Sequence, residues 1–230
     1  LVFTYETTPW KPDKRYKKLW EAVSKHAKLV EFPKQDRREL VSWVIRHFSA
    51  RGKVISQQLA GYLIDLTDGT MTALSGEIAK IAAFSGAEEI VKADIDAVTE
   101  PVLDAVVFQM TDLMAAGNFG GALLKLQQLF KMQQEPIAIT AAMIGSYVDL
   151  YRVKLGAAKR KSYSVVFKDF GYKGSDYRLK RSAETAAHYT LGQLEACMQI
   201  LLDLDKSLKS QPVDDEVLME TALCRLALAG

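Results

Sequence analysis

From residue 35 onward, apolar positions recur three and four apart, broken by short polar or glycine-containing steps. Positions with that spacing share one face of a helix. Asp36-x-x-Glu39 reads as a capping box, in which each side chain answers a free backbone N–H at a helix start. The helix it opens buries Leu40, Val41, Val44, Ile45 and Phe48 and ends at Arg51-Gly52. Ser56 caps the next helix, which presents Leu59, Leu63 and Leu66. Asp68-Gly69 is a tight break. A third helix over 70–84 turns Leu74, Ile78 and Ile81 to the same core, with Ser85-Gly86 as its C-cap. A short helix over 91–99 carries Ile95 and Val98 and stops at Glu100-Pro101. The pattern predicts a small bundle over 35–101.

Residues 102–230 read as a second helical bundle. A helix over 106–116 stops at Gly117-Asn118. The next, over 119–133, has Ala122, Leu126, Leu129 and Phe130 on one side. Pro136 suits the first position of a long helix. That helix bears a heptad-like row of Ile137, Ala141, Ile144, Val148, Tyr151 and Leu155, expected to pack against neighbouring helices or another chain. A basic stretch over 159–174 is broken by Gly171 and Gly174. Helices near 175–190 and 191–209 follow, and Asp214 opens the last one, to about Ala229.

The first 34 residues have another pattern. Leu1–Glu6 is an apolar β-type run, 13–27 is helix-like, and Leu29–Phe32 is a second short strand ended by Pro33. Two strands and a helix cannot form a stable sheet domain alone. They read as the tail of an α/β domain whose larger part lies upstream of Leu1. The expected fold class is therefore mainly α: an α/β remnant over 1–34, a helical bundle over 35–101 and a second over 102–230.

Composition is ordinary for a globular chain, 49% hydrophobic and 25% charged over 230 residues. Cys197 and Cys224 are too few for a disulfide scaffold and are expected to be buried thiols in a reducing compartment. No apolar run reaches the roughly 18–20 residues of a membrane span, so a cytoplasmic protein is expected. The net charge of +2 hides a segregation. Residues 10–53 carry a local +8, residues 152–181 another +8, and the remainder −14. The second block holds Arg152, Lys154, Lys159, Arg160, Lys161, Lys168, Lys173, Arg178, Lys180 and Arg181, against Asp169 and Asp176. Cations at 159–161 also suit the end of the long helix, where the helix dipole favours them. That does not account for the block's continuation through Gly171–Gly174. Taken alone the block reads as a solvated surface; the functions it could serve are contact with DNA or with an acidic face of a neighbouring subunit, the latter favoured by the family resemblance described below.

Signals of catalysis are lacking. There is no phosphate-cradling Gly-x-x-x-x-Gly-Lys-Ser/Thr, and His26, His47 and His188 have no metal-ligand spacing. Gly145-Ser146 is not in a nucleophile elbow. Asp203/Asp205 and Asp214/Asp215 read as solvated or capping charges. No catalytic, cofactor-binding or metal residue is assigned, and no cofactor is expected.

Several segments in order resemble the delta subunit of bacterial DNA polymerase III, a member of the clamp-loader AAA+ proteins. They are Arg15-Tyr-Lys-Lys-Leu-Trp-Glu-Ala-Val, Leu29-Val-Glu-Phe32 and Arg38-Glu-Leu-Val-Ser-Trp-Val44, then Lys53-Val-Ile-Ser56. Asp68-Gly-Thr-Met-Thr-Ala-Leu-Ser-Gly-Glu-Ile-Ala-Lys80, Glu88-Glu-Ile-Val91 with Asp94-Ile-Asp-Ala-Val98, and Asp205-Lys-Ser-Leu-Lys-Ser-Gln-Pro212 complete the series. The resemblance covers essentially the whole chain. It implies that 1–34 ends an AAA+ domain, 35–101 is the lid and 102–230 the collar through which the loader's subunits assemble.

The same resemblance implies a role in opening the sliding clamp and loading it on primed DNA. The clamp would be met through the N-terminal domain upstream of Leu1, so no clamp-contact residue is assigned. No intrinsic activity is expected in the chain itself, only membership of a DNA-directed DNA polymerase holoenzyme, a nucleotidyltransferase of the bacterial replisome. One departure fits this. ATP-hydrolysing relatives carry an arginine where this chain has Thr72, and a neutral hydroxyl cannot replace the guanidinium fork on a γ-phosphate. Neither ATP binding nor hydrolysis is expected. The alternative reading is a stand-alone helical nucleic-acid-binding protein, resting on the two basic blocks with Trp10, Tyr16, Trp20 and Trp43 near the first.

Overall fold

The structure is a computed structural model that describes residues 17–28, 30, 35–172 and 176–230. It divides into two compact units, Leu1–Lys34 and Gln35–Gly230. In the first unit the described element is α1 (Lys17–His26), a helix with no buried residue and an exposed Lys17–Glu21 pair at 3.8 Å. The expected strands at Leu1–Glu6 and around Leu29–Phe32 lie outside the described residues, apart from Val30, which has no regular structure.

The second unit is helical throughout. Its elements are α2 (Arg37–Ser49), α3 (Gln57–Leu66), α4 (Met71–Phe84), α5 (Lys92–Val98), α6 (Leu103–Ala115) and α7 (Phe119–Lys131). They continue with α8 (Pro136–Ala158), α9 (Tyr163–Asp169), α10 (Tyr177–Ala186), α11 (Leu191–Ser210) and α12 (Asp215–Ala229). Among the described residues there is no strand, only an isolated parallel bridge between Val54 and Glu89.

Local chemistry sets the boundaries. The Asp36 carboxylate accepts from Glu39 N at 2.8 Å and the Glu39 carboxylate accepts from Asp36 N at 3.1 Å, so the capping box is formed. Ser56 and Thr70 cap α3 and α4 through their hydroxyls. Gly52, Gly69 and Gly117 all take φ near +70°, which costs a glycine little. The expected glycine cap after α4 is not formed. Ser85 is the extended C-cap, Gly86 has no positive φ, and the Ser85 carbonyl is satisfied by Lys53 Nζ at 2.8 Å.

Two separate apolar cores result. The first joins Leu40, Val41, Val44 and Phe48 of α2 to Leu63 and Leu66 of α3, Leu74, Ile78 and Ile81 of α4, and Ile95 of α5. Ile45, Leu59 and Val98, expected inside, only lean on this core. The second runs from Val106 to Leu226 and gathers α6–α12 around α8.

Two expectations about the second bundle are corrected. The row Ile137–Leu155 is not the buried face of α8. Burial falls on Ile139, Met143, Tyr147, Leu150 and Val153, with Ser146 and Asp149 beside them. The two rows differ by two positions, about 200° around a helix, and in the expected row Ile137 and Ala141 are exposed while Ile144, Val148, Tyr151 and Leu155 are half-buried, Ile144 and Tyr151 leaning on the core. The cause is that α8 packs against α6, α10 and α11 at once, and polar Thr140, Ser146 and Asp149 share the interior face with the apolar residues. Also, the basic stretch after α8 holds a helix, α9. It seats Val166 against Gly156, where a Cβ would meet Val166 Cγ2 at 2.4 Å.

Cys197 is buried as expected, and burial pushes its thiol up to about 11. Cys224 is exposed, because it falls one step off the Ala222–Leu223–Leu226 row. In native buffer near pH 8, a thiol-reactive dye should therefore label one cysteine promptly, and the second only on unfolding. Two fast equivalents would contradict the burial of Cys197.

Candidate functional site

The second basic block lies on the end of α8, on α9 and on α10, and the structure splits it. Lys173 lies outside the described residues. Three arginines turn inward. Arg178 Nε donates to Asp149 at 2.6 Å, and the Tyr172 hydroxyl donates to the other Asp149 oxygen. Arg152 donates to the Tyr172 hydroxyl at 2.8 Å and lies over the Phe170 ring at 4.4 Å. Arg181 pairs with Asp112 at 2.8 Å and Asp65 at 3.6 Å, over the Phe108 ring at 4.7 Å. Asp149 is 3% exposed, so its charge is held by these donors rather than by water. These arginines tie the bundle together; they are not a free surface.

The remaining cations point outward. Lys161 makes an exposed pair with Asp169 at 2.6 Å. Such a pair contributes about 0–1 kcal/mol and exchanges easily. Among the described residues, the side chains of Lys154, Lys159, Arg160, Lys168 and Lys180 make no hydrogen bond or ion pair. Arg160 has φ +55°. It sits at the left-handed position of a Schellman motif, with Arg160 N bonded to Ala157 O and Lys161 N to Gly156 O, both at 2.9 Å. Gly52, Gly117 and Gly171 hold the equivalent place after α2, α6 and α9, and Gln133 holds it after α7.

The two bundles meet at a polar joint. Arg37 Nη1 and Nη2 donate to the two Asp65 oxygens at 2.6 and 3.0 Å, and Nη2 also reaches Gly61 O at 3.0 Å. The Arg37 guanidinium lies 3.6 Å over the Tyr177 ring. Arg181 bridges Asp65 of α3 to Asp112 of α6, and the Thr185 hydroxyl donates to Asp112 at 2.6 Å. A cleft of about 480 Å³ lies here, lined by Arg37, Asp65, Tyr177 and Arg181 with Gln57, Gln58, Tyr62 and Gln109. Nearby, Asp96 accepts from Tyr62 and Lys92. Burial raises the Asp96 carboxyl, but those two hydrogen bonds outweigh it and leave it below the usual range. The sequence carried a signal for Asp149, an acid inside the apolar run of α8. It carried none for the pairing of Arg37, Asp65, Arg181 and Asp112, which comes from distant segments.

His47 is half-buried, stacked on Trp43 at 3.8 Å, and His26 and His188 are exposed. Among the described residues, no group of three His, Cys, Asp or Glu could hold a metal ion, and no helix is long and apolar enough to cross a membrane. Asp214 caps α12, and Asp203 and Asp205 face Arg225 and Lys209. Thr72 is exposed on the first turn of α4.

Fold and surface thus define a helical protein of two bundles, with outward cations and with Ile137 and Ala141 of α8 exposed. The sequence pattern of the C-terminal domain of the DNA polymerase III delta subunit matches residues 104–226, and the chain belongs to that family. DNA polymerase III subunit delta of Bacillus subtilis (strain 168) is 24% identical over 227 residues, covering 98% of this chain and 63% of that protein. The solved structure of the Bacillus subtilis DNA clamp loader delta protein superposes with a TM-score of 0.71 at 23% identity, over 95% of this chain and 64% of that one. The chain therefore spans less than two thirds of the relatives it matches.

Proposed function

We propose that this chain serves a clamp loader as its delta subunit, with residues 35–101 as the lid and 102–230 as the collar. Residues 1–34 would end the AAA+ domain. The observation that carries this is the family match over α6–α12, the bundle that turns Ile137 and Ala141 of α8 outward. In this reading the bundle joins the other loader subunits, and the loader meets the sliding clamp through the delta subunit's N-terminal domain and acts on primed DNA. The chain contributes no chemistry of its own to the polymerase III holoenzyme and works in the cytoplasm. Thr72 supports a non-hydrolysing role, because its hydroxyl offers no charge to a nucleotide.

The test is reconstitution with the partner loader subunits, read by size exclusion with light scattering. The chain should enter the complex. Ile137→Glu with Ala141→Glu should lower incorporation roughly tenfold, since a charge buried in an interface costs more than the ~1.4 kcal/mol that a factor of ten represents. The melting temperature should hardly change, because both positions are exposed. A chain that never assembles but binds DNA tightly would favour the stand-alone nucleic-acid-binding alternative.

A further inference from the structure

We propose that the end of α8 and the adjoining α9 form a binding face for a nucleic-acid phosphate backbone, centred on Lys154, Lys159, Arg160 and Lys168. The biological setting rests on the clamp-loader reading, but the binding is a property of this chain and is measurable without any partner. Three observations converge on it.

The first is the division of the cations. The arginines of the block are spent on Asp149, Tyr172, Asp112 and Asp65. The outward set, Lys154, Lys159, Arg160, Lys161, Lys168 and Lys180, is five lysines to one arginine. Protein–protein interfaces are enriched in arginine and depleted in lysine. Lysines set around a turn suit phosphates instead, where each supplies a point charge and displaces a condensed counterion. The acids beside this face among the described residues are Asp169, already shared with Lys161, and Asp176, which accepts from the Ser164 hydroxyl of α9.

The second is Arg160. Its left-handed backbone is the place that Gly52, Gly117 and Gly171 fill elsewhere in this fold. A side chain with a Cβ is disfavoured there, so stability alone would choose glycine. Gln133 shows that a non-glycine is tolerated at such a position. At Arg160, however, the tolerated residue adds an exposed charge between the exposed Lys159 and Lys161. The third is Phe170, which is half-exposed beside this face with Arg152 packed on it. An aromatic ring backed by a guanidinium offers a stacking surface for an unpaired base.

The experiment measures fluorescence anisotropy of a labelled oligothymidylate and of a labelled mixed-sequence duplex with the whole 230-residue chain. Four phosphate contacts predict a slope of log affinity against log salt of about −3 to −4, or a roughly 50- to 150-fold loss between about 50 and 200 mM salt. Lys159→Glu with Lys168→Glu should weaken binding at least about tenfold. Lys206→Glu, an exposed cation on α11, should change it less than about twofold. Arg160→Gly should weaken binding about two- to threefold while raising the melting temperature by about 2 °C. A role confined to the fold cannot move those two readouts in opposite directions. Because glycine suits that backbone, this variant stays informative even if the double reversal fails to fold.

The proposal is overturned by absence of binding at low salt, by a flat salt dependence, by equal losses from Lys206→Glu, or by Arg160→Gly binding as the parent does. It is also overturned if the double reversal leaves DNA binding intact but blocks entry into the loader complex, which assigns the face to an acidic subunit surface. Failure of assembly with DNA binding preserved counts against the clamp-loader reading alone.

Discussion

Leu74→Ala and Ile78→Ala should each destabilise the first bundle by about 2–5 kcal/mol. Both side chains are 0% exposed, and both face Val44, Phe48 and Leu63, which are equally sealed. Truncation removes three carbons where α4 packs on α2 and α5, and three fixed helices cannot close the void. Domains have only about 5–15 kcal/mol in hand, so either variant leaves this bundle near its threshold. Phe84→Ala, at an exposed site on the same helix, is the control and should cost less than about 1 kcal/mol. Urea unfolding followed by circular dichroism reads the effect. An unmoved midpoint for both core variants would show that α4 turns another face inward.

Asp149→Ala should cost about 1–3 kcal/mol. Removing one partner of a fully buried ion pair costs about 3–5 kcal/mol, because the other charge is stranded. Here Arg178 is 49% exposed and can rehydrate, so the cost falls below that range. The loss then comes from the void on the inner face of α8 and from release of the Tyr172 hydroxyl, which still has Arg152. Arg178→Ala should cost more than Asp149→Ala, since it strands a buried carboxylate with Tyr172 as its remaining donor, whereas Asp149→Ala strands an arginine that water can reach. A double-mutant cycle gives their coupling. Zero coupling would mean that the 2.6 Å contact contributes nothing to the fold.

Most of the helices in the first bundle, and α12, were legible because they have local punctuation. Asp36, Ser56, Thr70 and Asp214 cap starts, and Gly52, Gly69 and Gly117 mark ends, within short reach of the residues they serve. The face of α8 was not legible. A helix packed by several neighbours has a broad interior sector, and its apolar residues no longer single out one direction. Ile137 and Leu155 are as apolar as Ile139 and Val153, and only the positions of α6, α10 and α11 decide between them. The basic block was legible as charge but not as two populations. Which arginines face inward depends on Asp65 and Asp112, far away along the chain.

The joint between the bundles has a mechanical consequence. Across it Arg181 reaches Asp65, Arg37 lies over Tyr177 and Val102 N donates to Leu66 O, polar groups that water can solvate in turn, whereas each bundle is held by apolar surface. Parting the bundles therefore exposes little oily area and takes up little heat capacity, while opening either core takes up much. Under a load applied along the chain, the joint is the compliant element. It yields and re-forms while the helices on both sides stay intact, and added salt softens it without loosening the cores.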